Sequence, residues 1–64
     1  MKRIELMKHL RKNGCFMLRE GGNHSVVVNV VTGLCSTVPR HNEIDSELGR
    51  KICKDLGIPK IRKR

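Results

Sequence analysis

Five valines fill six consecutive positions, Val26-Val27-Val28 and Val30-Val31, between two glycine-bearing stretches, Glu20 to Asn23 and Thr32-Gly33. β-branched side chains lose rotamer freedom in a helix and fit a pleated surface, so the run from His24 to Val31 reads as a strand. Glycine and asparagine tolerate positive φ, so both flanks read as tight turns. A strand closed by short turns on both sides must pair antiparallel with its neighbours in sequence. Those neighbours are residues 15–19, Cys-Phe-Met-Leu-Arg, and residues 34–38, which end at Pro39.

The period of two sorts the valine strand into faces. Val26, Val28 and Val30 share one face; Ser25, Val27, Asn29 and Val31 share the other. The face made only of valine is expected against the rest of the protein. Val27 and Val31 then stand on an open face, where exposed apolar residues suit a partner. His24 is in phase with Val26, so this register turns it toward the covered side. Its place at the sheet rim, or a bulge or slip at the Gly-Gly turn, would release it.

Two helical patterns flank the strands. Ile4, Met7, Leu10 and Arg11 recur at helical spacing, with Leu6 widening the stripe, and Asn13-Gly14 ends a helix over residues 4–13. Ile44, Leu48, Ile52 and Leu56 step by four in a second helix over 44–56, with Asp45 as its N-cap and Gly57 and Pro59 as its stop. The order is α-β-β-β-α, an α+β fold. Two helices cover only one face of a three-stranded antiparallel sheet, so both are expected on the same side.

The chain has 64 residues, enough for a single domain with one thin core, expected over residues 1–59 and followed by a basic tail at 60–64. A core that thin encloses no deep pocket, which disfavours a small-molecule substrate. Fourteen lysines and arginines against six acidic residues leave a net charge of +8, and that density points to a polyanion. Nucleic acid is the first expectation and an anionic membrane surface the second. No apolar run approaches the length of a membrane span, and no signal peptide is expected. Cys15, Cys35 and Cys53 are odd in number and widely spaced, as in a reducing cytoplasm; none forms a C-x-x-C pair for zinc. Phe16 is the sole aromatic, so nucleic acid would be held by its phosphates and sugars rather than by stacked bases.

The chemistry concentrates at Arg19-Glu20-Gly21-Gly22-Asn23-His24. An imidazole gives or takes a proton near neutral pH. A guanidinium holds phosphate oxygens with two parallel hydrogen bonds. His24 is therefore the candidate catalytic residue. Arg19 or Arg40 is the candidate for stabilising phosphate charge, and His41 a second proton-transfer candidate. His9, on the polar face of the first helix, is given no chemistry. Glu43, Asp45 and Glu47 read as helix-start charges rather than a magnesium site, so neither metal nor other cofactor is expected.

Four segments in this order resemble the HicA (YcfA-like) family: Leu10-Arg11-Lys12-Asn13-Gly14-Cys15-Phe16, Arg19-Glu20-Gly21-Gly22-Asn23-His24, Val38-Pro39-Arg40-His41 and Leu56-Gly57-Ile58-Pro59. The second is similar to the family's R-x-x-G-[ST]-H, and the resemblance spans roughly residues 8–59. It implies a fold like double-stranded RNA-binding domains and the role of an mRNA interferase toxin in a type II toxin–antitoxin system. It also implies RNA cleavage resting on His24; around it Arg19, Asn23, Arg40 and His41 are the expected RNA contacts, and with no carboxylate cluster for a metal the cleavage is expected to be metal-independent. A HicB-type antitoxin would mask that histidine. Asn23 stands where the family usually has Ser or Thr, and Ser25 where a second histidine often follows. Two other readings remain at this stage: a non-catalytic module for double-stranded RNA, and a regulatory protein docking its basic face on an acidic chain.

Overall fold

The computed structural model describes residues 1–61; residues 62–64 of the expected basic tail lie outside the described residues. The order is α1 (Arg3–Lys12), β1 (Cys15–Glu20), β2 (His24–Asn29), β3 (Cys35–Pro39) and α2 (Ser46–Asp55). The strands form one antiparallel sheet with β2 in the centre. None of the described helices is long and apolar enough to cross a membrane.

Both helices end where their sequences stop them. Asn13 caps α1, its side-chain amide donating to the His9 carbonyl at 2.8 Å, and Gly14 then takes φ +82°. A left-handed residue at this position lets the chain reverse at no Cβ cost. The Gly14 carbonyl accepts from Val30 N at 3.0 Å and ties the reversal to the far end of β2. Asp45 caps α2 by accepting from Glu47 N at 3.2 Å, so the helix proper starts at Ser46.

The core joins Leu6 and Leu10 of α1, Ile52, Cys53 and Leu56 at α2, Cys15, Val27 and Val38 of the sheet, and Ile44. Every sheet member of that cluster sits on one face, so both helices cover the same side. Burial pushes the Cys15 and Cys53 thiols above the usual thiol range, Cys15 further through the neighbouring Cys53. Both remain protonated and act as small apolar fillers.

The covered face is the opposite of the one expected from the valine count. Ser25, Val27 and Asn29 are buried, whereas Val26 and Val28 are half-buried on the open side. Val31, expected on the open face of the strand, is not in the strand at all. The reason is polar pairing over long sequence separations. Ser25 Oγ accepts from Arg3 Nη2 at 2.9 Å. Asn29 Nδ2 donates to the Leu56 carbonyl at 2.7 Å, which satisfies an orphan at the C-terminus of α2. Partnered polar groups are cheap to bury. Among the described residues no buried side-chain nitrogen or oxygen lacks a partner.

Asn29 also ends the strand two residues before the valine run does. Its Oδ1 accepts from Val31 N at 2.9 Å, its carbonyl accepts from Gly33 N at 2.7 Å, and Gly33 has φ +80°. Val30 and Val31 therefore lie in the turn, exposed, and β3 begins at Cys35 rather than at Leu34. Asn29→Ala is expected to cost about 1–3 kcal/mol, because it strands the buried Leu56 carbonyl. A drop in melting temperature of roughly 4–8 °C per kcal/mol, followed by circular dichroism, checks this.

Candidate functional site

His24 is the first residue of β2 and is exposed. Because Ser25 takes the covered side, His24 comes out on the open face with Val26. The expected conflict between its register and its exposure disappears with the face inversion, without any slip at the Gly-Gly turn. Its partner across the sheet is Pro39 of β3.

The loop before it is fixed from both sides. Gly21 N donates to the His24 carbonyl at 2.8 Å. A Cβ on Gly21 would stand 3.3 Å from that same oxygen, so glycine allows the turn to close tightly on the histidine. Arg40 N donates to the Asn23 carbonyl at 3.3 Å and joins the end of β3 to the turn. From below, Arg3 Nε donates to the Pro39 carbonyl at 3.0 Å while its Nη2 holds Ser25. One guanidinium thus pins the residue after His24 and the residue across from it. Nothing in the local sequence marks Arg3 for this role, since its partners lie 22 and 36 positions away.

Gly22, Asn23, His24, Arg40 and His41 line one open cleft of about 550 Å³ at this rim. Three of the four residues expected beside His24 are therefore brought together with it. Arg19 is the exception and does not line the cleft. It stands on the same open face, paired with Val26, because the register shifts between Met17 and Arg19. Without that bulge, simple alternation would pair Arg19 with Ser25 and point it toward the helices. The register shift lies in β1, not at the Gly-Gly turn, and it re-aims the arginine rather than the histidine.

Arg40 does not present a free cation to the cleft. Its Nη2 lies 3.2 Å from Glu20 Oε2, and its Nη1 donates to the Gly21 carbonyl at 3.5 Å. Glu20 is a site residue that the sequence reading missed. Its one signal is its place at the mouth of the turn, opposite the end of β3. His9 takes a structural place, with Nε2 donating to the Pro59 carbonyl at 2.7 Å. Among the described residues no group of three or more His, Cys, Asp or Glu side chains is arranged to hold a metal ion.

An exposed imidazole, an asparagine, a second imidazole and an arginine around a shallow open cleft suit a phosphodiester on a long flexible chain better than an enclosed metabolite. The family model described as the HicA toxin of bacterial toxin–antitoxin matches residues 4–58, most of the chain. The chain belongs to the HicA toxin family. Its role is that of a toxin in a toxin–antitoxin pair, and an antitoxin is its implied partner. No curated protein and no solved structure gives a significant match. In this HicA the match runs from the first turn of α1 to just past Gly57, so it takes in the whole sheet, the Gly-Gly-Asn-His turn and the Arg40–His41 edge.

Proposed function

We propose that this HicA protein is a metal-independent endoribonuclease that cuts mRNA in the cytoplasm, with His24 as its general acid–base and a HicB-type antitoxin as the chain that masks it. The observation that carries the reading is the exposed His24 on the open face, in one cleft with Asn23, Arg40 and His41.

Cleavage proceeds by attack of the 2′-oxygen on the adjacent phosphorus. His24 takes the 2′-hydroxyl proton as the O2′–P bond forms and the P–O5′ bond breaks. The leaving 5′-oxygen takes a proton from the His41 imidazolium or from water. The products are a 2′,3′-cyclic phosphate and a 5′-hydroxyl, with no redox change and no metal in any step. Acid–base assistance of this kind is worth roughly 10²–10⁴-fold. Arg19, on the open face of β1, and Arg40, just past β3 and exchanging Glu20 for the phosphate, stabilise charge on the phosphate. Asn23 offers a side-chain amide to a phosphate or sugar oxygen.

Incubation of the purified protein with long single-stranded RNA in excess EDTA tests this. Fragments ending in cyclic phosphate support the reading. A gel shift with intact RNA would instead leave a binding module. Glu20 restrains Arg40, so Glu20→Gln is expected to tighten RNA binding by up to about fivefold at low salt, the gain shrinking as salt rises. Fluorescence anisotropy at two salt concentrations measures it.

A further inference from the structure

The charge of this protein does not lie where its cleft is. Residues 13–45 carry the whole sheet and every cleft residue, yet they hold only Arg19 and Arg40 against Glu20, Glu43 and Asp45, a net charge of −1. The remaining residues carry a net +9: +3 on α1, +1 on α2, where Glu47 and Asp55 offset part of the charge, +1 at Lys2 and +4 on the tail 60–64. Within the cleft, Arg40 is already paired with Glu20. The cleft offers little attraction of its own to a polyanion.

The helices present their cations outward. Leu6 and Leu10 set the buried side of α1, and Lys8 and Lys12 stand one turn apart on the opposite side, both exposed. Ile52 and Cys53 set the buried side of α2, and Arg50 and Lys54 stand one turn apart, also exposed. Among the described residues none of these four pairs with a carboxylate. Of the large exposed apolar side chains, only Ile4 belongs to a helix; the rest lie in β1 and the β2–β3 turn. Protein interfaces have apolar centres and are depleted in lysine. A layer whose exposed side chains are mostly lysine and arginine, with Ile4 as its one large exposed apolar side chain, fits a phosphate chain.

We propose that the outer layer of α1 and α2, through Lys8, Lys12, Arg50 and Lys54, is the binding surface for the phosphate backbone of single-stranded RNA, separate from the cleft that cuts it. The proposal rests on the RNA reading above. Affinity then belongs to the helices and chemistry to the rim. The described structure measures 27 × 27 × 16 Å, so a single strand held on the helix layer has a short path around the edge of the sheet to His24.

The test uses a labelled 2′-O-methyl RNA of about 12 nucleotides, within the ~4–16 nucleotides of single-strand sites. It keeps its phosphates but has no free 2′-hydroxyl to attack. Anisotropy is followed between about 50 and 200 mM salt, where phosphate contacts are most visible. The variant Lys8→Gln/Lys12→Gln/Arg50→Gln/Lys54→Gln is expected to lose at least tenfold in affinity. Its salt slope should flatten by about 3, at ~0.7 per lost contact with a single strand. Charge-keeping Lys8→Arg/Lys12→Arg is expected to bind as wild type. Wild-type affinity and slope in the four-site variant would overturn the proposal and leave the layer to an acidic protein partner. Failure of the wild-type protein to bind the RNA even at the lowest salt would overturn the nuclease reading along with it.

Discussion

Val27→Asp is expected to abolish cooperative unfolding, whereas the same change one residue earlier, Val26→Asp, leaves a folded protein. Val27 is fully buried among Leu6, Leu10, Ile52 and Val38 on the covered face. A carboxylate there has no cation to pair with in the core and costs about 3–5 kcal/mol or more. A domain this small has roughly 3–10 kcal/mol of total stability to lose. Val26 is half-buried on the open face, where its new carboxylate reaches water and its pair across β1 is Arg19. The cost there is about 1 kcal/mol, mostly from the poor fit of aspartate to a strand. Thermal melts of the two variants measure the difference directly. A folded Val27→Asp together with an unfolded Val26→Asp would mean that the sheet presents its other face to the helices.

That pair of adjacent positions also marks where the sequence stops being legible. The alternation around Val26, Val27 and Val28 announces a strand with two distinct faces, and the glycine turns announce its antiparallel partners. Both follow from local backbone chemistry. Which face is covered depends on Arg3 reaching Ser25 and on Asn29 reaching Leu56, and no local pattern encodes either contact. Counting apolar residues favoured the wrong face because a serine and an asparagine with partners are buried as readily as valines. The same asparagine explains why the strand is shorter than the valine run.

The placement of the candidate site residues was more legible than the packing. A glycine turn followed by histidine at a strand's first residue needs only the chain's own geometry to bring Asn23 and His24 to the rim, and the hairpin-like return of β3 brings Arg40 and His41 beside them. Arg19 required a bulge that alternation alone does not announce. Glu20 was invisible as a site residue because its partner enters from the opposite end of the sheet's sequence.

If, as proposed, the rim cuts RNA and the helix layer holds it, an antitoxin that covered the open face would block His24 without competing for Lys8, Lys12, Arg50 or Lys54, and the inhibited pair would still hold RNA.

The central claim is that His24 does the chemistry and carries little of the fold. The direct measurement is the cleavage rate of a long single-stranded RNA in excess EDTA by wild type and His24→Ala, each paired with a thermal melt. The account predicts a loss of roughly 10²–10⁴-fold in rate, with the melting temperature nearly unchanged because an exposed rim side chain supports no core contact. Cleavage by His24→Ala at the wild-type rate would contradict it.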